Sequence, residues 1–160
     1  MPFYHTAQIC KNGHIINHRA DTEPLRNKPY CSSCGSETLI SCPSCNAKIL
    51  GDYEVEGFGF PLSYDIAPAF CHNCGKPYPW TESALLAAAG LIYEEENIPD
   101  DLKDRTVETL TDVIVETPKT TLAATRLKKC LASAGKFTAD GIRQFVIDFG
   151  CEFAKKMLEP

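Results

Sequence analysis

The sequence has no apolar run long enough to cross a membrane. Its longest, Ala84 to Tyr93, falls well short of the ~20 residues a spanning helix needs. The start, Met-Pro-Phe-Tyr-His, lacks a basic stretch followed by an apolar one. No secretory leader is therefore expected, and the expected location is cytoplasmic. Positive charge is scarce: 16 Lys and Arg stand against 21 Asp and Glu, for a net charge of −5. That balance disfavours a nucleic-acid backbone as the main partner. Familiar catalytic signatures are missing too. There is no Gly-x-x-x-x-Gly-Lys, no His-Glu-x-x-His and no Gly-x-Ser-x-Gly, and Gly57-Phe58-Gly59 is too short to cradle a phosphate. These absences predict a protein that is not an enzyme and has no small-molecule substrate.

Cysteine, by contrast, is abundant. Nine cysteines occur in 160 residues, and in a reducing compartment they serve as metal ligands or free thiols more often than as disulfides. Seven lie in four short segments of the first half: Cys10-Lys11-Asn12-Gly13-His14, Cys31-Ser32-Ser33-Cys34, Cys42-Pro43-Ser44-Cys45 and Cys71-His72-Asn73-Cys74. Three are Cys-x-x-Cys and one is Cys-x-x-x-His. Together they supply seven thiols and one imidazole, enough for two closed tetrahedral sites, and zinc suits that ligand set. Gly35 and Gly75 directly follow the second cysteine of their pairs, and Asn46 takes the same place after Cys45. A turn that aims two thiolates at one metal often needs a positive φ there, which Gly and Asn tolerate best. Gly13 is expected to serve the first turn in the same way.

Four ligand pairs can group in three ways. A sequential grouping puts Cys10, His14, Cys31 and Cys34 on one metal and Cys42, Cys45, Cys71 and Cys74 on the other, with intervening loops of 16 and 25 residues. An interleaved grouping joins first with third and second with fourth. A nested one joins the two middle pairs across seven residues. Short connections favour the sequential arrangement. His14 alone among the histidines sits at ligand spacing from an otherwise unpaired cysteine. His5 and His18 have no spacing argument, and His72, inside its turn, would point away from the metal. Cys130 and Cys151 fall in predicted helices, where a free cysteine acts as a small buried hydrophobe. Eight ligands for two metals leave no open position, so the sites read as structural rather than catalytic. A single iron in the four-cysteine set, as in a rubredoxin-like electron carrier, is the competing metal. Three thiolates around a dication add −1 and four add −2, so a zinc-loaded chain would carry about −8.

Composition changes near Trp80. Residues 1–80 hold the seven paired cysteines and many Pro, Gly and Asn; residues 81–160 are rich in Ala, Leu, Glu and Lys with helical periodicity. The expected architecture is α+β. Two small β zinc ribbons occupy 1–80, and an α-helical module of about four helices occupies 81–160. Short β-type runs at Thr38 to Ile40, Lys48 to Leu50 and Tyr53 to Val55 flank the ligand turns. The first helix is expected over Glu82 to Glu95 with Thr81 as N-cap. The second follows Pro99, with Asp100 and Asp101 in its first turn and Leu102, Leu110, Val113 and Ile114 inside. The third runs from near Pro118 to before Gly135. The fourth opens after Thr138, on the series Ile142, Phe145, Val146, Phe149, Phe153. Charge is segregated: Glu82 to Glu116 carries ten acidic and two basic residues, Thr117 to Lys136 five basic and none acidic. Facing acidic and basic helices within one bundle account for this more simply than a basic helix that meets a partner.

The turn Cys10 to His14 followed by Cys31-Ser32-Ser33-Cys34-Gly35 resembles a common bacterial zinc-ribbon pattern. The longer run from His5-Thr6-Ala7-Gln8-Ile9-Cys10 to Cys71-His72-Asn73-Cys74-Gly75-Lys76-Pro77-Tyr78-Pro79-Trp80-Thr81 resembles a bacterial family of double-zinc-ribbon proteins of unknown function. The segment from Thr117 to Lys156 is similar to helical tails in the same group. The resemblance implies two zinc ions per chain, a helical tail, and no particular activity. The reading that follows is a zinc-binding adaptor that engages a protein partner or a second copy of itself. Nucleic-acid binding is the alternative, through the aromatic loop Tyr53, Phe58, Phe60, Tyr64, Phe70 or through Arg126, Lys128 and Lys129. Asp52, Glu54, Glu56 and Asp65 in that loop, which has no Lys or Arg, weigh against it. Its aromatics are expected to pack the second ribbon instead.

Overall fold

The computed structural model describes residues 1–58, 62–63 and 65–159. Gly59, Phe60 and Tyr64 of the sequence-level readings lie outside the described residues. The fold is α+β. The chain divides into two compact units, Met1–Ser83 and Ala84–Pro160, each described by itself.

The first unit is built from five short strands: β1 (Phe3–Thr6), β2 (Gln8–Cys10), β3 (Ile15–Asn17), β4 (Thr38–Leu39) and β5 (Leu50–Glu54). They form two antiparallel sheets, β1–β5 and β3–β2–β4. The expected strands around Lys48 and Tyr53 are one element, β5, which pairs Tyr4 with Tyr53 and Thr6 with Leu50. β2 is central in its sheet, with Ile9 opposite both Ile15 and Leu39. Ile9, Ile49, Tyr78 and Trp80 are the large apolar side chains of a small interior, joined by the buried cysteines Cys10, Cys31, Cys42 and Cys71. Gly51 lets β5 pass close to the loop after β3, since a Cβ there would collide with the His18 carbonyl. Five side chains lock that loop to β1 and β5. His5, 3% exposed, lies 2.8 Å from Glu54 through Nε2 and 3.3 Å from Asp21 through Nδ1. Arg19 donates from Nε to Asp52 at 3.0 Å and lies 3.3 Å from Glu54.

Helix α1 (Pro79–Glu94) starts in the first unit and runs into the second. It begins three residues before the expected start, with Pro79 at its first position, where a missing N–H costs nothing. Thr81 is therefore not the N-cap. It is buried within the first turn, and its hydroxyl donates to the Ala69 carbonyl at 2.8 Å. The second unit continues with α2 (Asp100–Glu108), α3 (Thr111–Ile114), α4 (Thr120–Ser133), α5 (Lys136–Phe149) and α6 (Glu152–Leu158). The second expected helix is thus two pieces, α2 and α3, broken at Thr109 and Leu110. The fourth starts at Lys136, ahead of Thr138, and stops at Gly150, so Phe153 belongs to α6. α4 packs against α2, α3, α5 and α6 and buries Ala123, Ala124, Leu127 and Cys130. Cys130 is fully buried, as expected of a small hydrophobe. Cys151 is not inside a helix: it is the N-cap residue of α6, and its N–H donates to the Val113 carbonyl at 3.0 Å. Arg126 reaches α2, donating to the Arg105 carbonyl at 3.1 Å and lying 4.0 Å from Glu108. Lys128 and Lys129 stay exposed. Among the described residues no helix is long and apolar enough to cross a membrane.

Candidate metal centres

Three of the four ligand turns repeat one backbone design. The N–H of Cys31, Cys42 and Cys71 donates to the carbonyl five residues on, at Ser36, Ala47 and Lys76, over 2.8–2.9 Å. The N–H of Gly35, Asn46 and Gly75 returns to the carbonyl of the same three cysteines over 2.8–2.9 Å. Those returning residues have φ of +72°, +62° and +70°, the left-handed values expected from the sequence. Each turn is the tip of a minimal antiparallel bridge, Tyr30 with Glu37, Ser41 with Lys48 and Phe70 with Pro77. The first turn departs because its second ligand is four residues on rather than three. Gly13, at φ +90°, donates to the Cys10 carbonyl at 2.9 Å, and the N–H of Cys10 donates to the His14 carbonyl at 3.0 Å.

These turns bring all eight candidate residues into two groups of four. Cys10, His14, Cys31 and Cys34 form one, and Cys42, Cys45, Cys71 and Cys74 the other, with the ligand atoms of each group within 4.8 Å of one another. The grouping is the sequential one. The geometry can be tested against a real shell. With zinc–sulfur bonds of about 2.3 Å and zinc–nitrogen bonds of about 2.0 Å, a tetrahedron has sulfur–sulfur edges of about 3.8 Å and sulfur–nitrogen edges of about 3.5 Å. Cys10 and Cys34 are 3.7 Å apart, Cys42 and Cys74 3.8 Å, and Cys45 and Cys71 3.6 Å. His14 Nδ1 lies 3.4 Å from Cys10 Sγ and 3.6 Å from Cys31 Sγ. The residues fit a tetrahedral metal, with Nδ1 as the ligand atom of His14.

The proton balance of the thiols agrees. The Ser36 N–H and the Asn12 amide hold the Cys34 thiol down at about 5. The Cys74 N–H brings Cys71 to about 6. At Cys74 the Lys76 N–H favours the thiolate, but burial and the Cys45, Cys71 and Cys42 sulfurs outweigh it and push the thiol up to about 11. Burial raises Cys10 in the first centre, and the Cys34 and Cys31 sulfurs raise His14. Each group therefore holds thiols that ionise readily beside thiols that resist, because adjacent sulfurs cannot all be anionic without a cation between them. A divalent metal would supply that charge.

The other histidines lie elsewhere. His5 bridges Asp21 and Glu54, His18 sits 3.5 Å from Asp52, and His72 is exposed within its turn. The polar network around His5 and Arg19 left no trace in the sequence, since its interacting pairs are 16 to 49 residues apart, a spacing that no local motif encodes. Of the aromatic loop, Phe58 is 78% exposed and so packs no ribbon, while Tyr53 is half-buried with its ring 4.6 Å from Tyr4.

Fold and centres together define a class: an α+β protein with two clusters of metal-ligand type in a double zinc-ribbon-like arrangement, followed by helices. More particularly, the chain belongs to DUF2321, a family described as "uncharacterized protein conserved in bacteria", which it matches over residues 3–158. Neither a curated protein nor a solved structure matches it.

Proposed function

We propose that the protein is a non-enzymatic adaptor whose two centres each hold a structural zinc ion. The observation that carries the reading is the closure of both ligand sets. Each supplies four protein ligands at tetrahedral edge lengths, which leaves no position for a water or substrate. His14 favours zinc in the first centre, because a nitrogen–sulfur set suits it better than the all-thiolate iron site of an electron carrier. The metals then fix rigid loops for a partner to read, while the helical unit supplies further surface for association. Metal analysis of reduced, purified protein is expected to give two zinc ions per chain and a colourless solution. A red, iron-loaded protein would replace this reading with electron transfer. Affinity capture from the native cell, followed by mass spectrometry, is expected to return a protein partner.

Nucleic-acid binding has one observation in its favour, the exposed Lys128 and Lys129 on α4, which form no ion pair among the described residues. The net charge of −5 opposes it. Salt-dependent retention on immobilised DNA or RNA would support it, and passage through at low salt would end it.

A further inference from the structure

The first unit carries a cavity that neither metal centre uses. Its volume is about 540 Å³, within the range of ordinary ligand pockets. Ile9, Ile15, Leu50 and Ile66 give it apolar walls, and its polar edge includes His18 and Asp65. The apolar surface does not stop at the mouth. Tyr4 lines the cavity and its ring lies 4.6 Å from Tyr53, whose ladder partner is the exposed Leu62. On the other side Ile66 is 74% exposed. Apolar surface that continues around a cavity in this way marks an interaction site.

Charge selects the partner. The segment from Gly51 to Phe70 contains Asp52, Glu54, Glu56 and Asp65 and no Lys or Arg. Asp52 and Glu54 are engaged by Arg19 and His5, and Glu56 meets the Met1 amino group. Asp65 lines the cavity, is exposed, and meets no cation among the described residues. Asp52, next to the lining residue Gly51, is 4% exposed, and its Oδ1 finds no hydrogen-bond partner among the described residues; His18 Nδ1 lies 3.5 Å from it.

We propose that this cavity is the docking site for a basic segment of a partner protein, which inserts one large apolar side chain between Tyr4 and Ile66 and sets a Lys or Arg against Asp65. The proposal rests on the adaptor reading and names the surface through which it acts. The probe is a phage-displayed library of random dodecapeptides, selected on the zinc-loaded full chain. Enriched peptides are expected to place one large apolar residue beside Lys or Arg. A synthetic copy of the best is expected to lose about tenfold or more in affinity, as anchor contacts do, to Ile66→Ser and to Asp65→Lys. Both positions are exposed, so zinc content and melting should match the wild type, which separates lost docking from lost folding. Enrichment of acidic peptides, no enrichment, or binding unchanged by both variants overturns the proposal. So does self-association in sedimentation velocity that Ile66→Ser abolishes, since the occupant would then be a second copy. A native partner captured equally by wild type and Ile66→Ser would also overturn it, while leaving the adaptor reading in place.

Discussion

Gly35, Asn46 and Gly75 occupy the same structural position three times over. Each is left-handed, and each returns its N–H to the first cysteine of its turn. The cysteine spacing and the residue after it together encode this turn, which is why the centres were legible residue by residue. The thiols they present are not equivalent. Cys34 and Cys74 are exposed, whereas Cys10, Cys31, Cys42 and Cys71 are buried. Replacing an exposed ligand disturbs packing little and isolates its coordinating role. Cys34→Ser and Cys74→Ser are each expected to lower zinc content from two to one per chain. The ribbon concerned should unfold, because binding at a structural zinc, on the order of 10 kcal/mol, is folding energy. Full zinc stoichiometry with wild-type melting in either variant would contradict the ligand assignment. Glu95 shows what spacing cannot encode. Its carboxylate accepts the Asn97 N–H at 3.2 Å and, forty residues on, the Gly135 N–H at 3.0 Å at the start of α5. These bonds hold it at about 2, below its ordinary 4.5. The stability it adds is present above pH 4.5 and lost as pH falls towards 2. Urea melts of the helical signal should show Glu95→Gln less stable than wild type at pH 7, with the gap closing near pH 2. A gap of constant size across that range would remove Glu95 from the account.

At the level of elements, legibility followed the range of the interaction. The start of α2 and the whole of α4 were readable because their periodicity and flanking prolines are local. The split between α5 and α6 was not, because the apolar series from Ile142 to Phe153 keeps its period straight through the break. At Gly150 the N–H still closes on Val146 at 2.8 Å, yet its backbone turns extended, which frees the Cys151 N–H to cap α3 through Val113. A tertiary hydrogen bond thus overrides a pattern that reads as continuous helix. β5 was read as two strands for a related reason: Gly51 and Asp52 interrupt the β-type run, although Gly51 is what lets the strand lie against His18. That close approach is testable. Gly51→Ala places a methyl into the His18 carbonyl and the Ala7 amide. The expected cost is about 1–3 kcal/mol, as for other overpacked sites, read as a lower midpoint for the first unit with zinc content unchanged. A midpoint equal to wild type would mean that the loop yields at no cost, and the registration of β5 would need another cause.

Across the whole molecule, the two units differ in how much apolar interior they hold. Among the described residues, ten apolar side chains are buried in the first unit, and four of these are candidate-ligand cysteines; fifteen are buried in the second, with Cys130 the only cysteine among them. An interior that small is marginal for a chain of that length without a staple, whereas the helical unit has a core of its own around Ile92, Ile98, Leu127 and Ile142. Metal removal should therefore take the units apart in energy. The protein provides its own reporter. Trp80 is the single tryptophan, is 3% exposed, stacks on Tyr78 at 4.7 Å, and donates from its indole to the Pro68 carbonyl at 2.9 Å, all within the first unit. Stripping zinc with a strong chelator under reducing conditions is expected to shift Trp80 emission to the red at once, as the stack opens to water. Most of the helical ellipticity should survive and melt later, in a separate transition. Excess zinc should restore the emission without refolding the helices, which never unfolded. If emission and ellipticity were lost together, the second unit would depend on the first for its stability. If the emission ignored the chelator, the interior around Tyr78 and Trp80 would be holding the ribbons without metal, and the structural role given to both centres would fail.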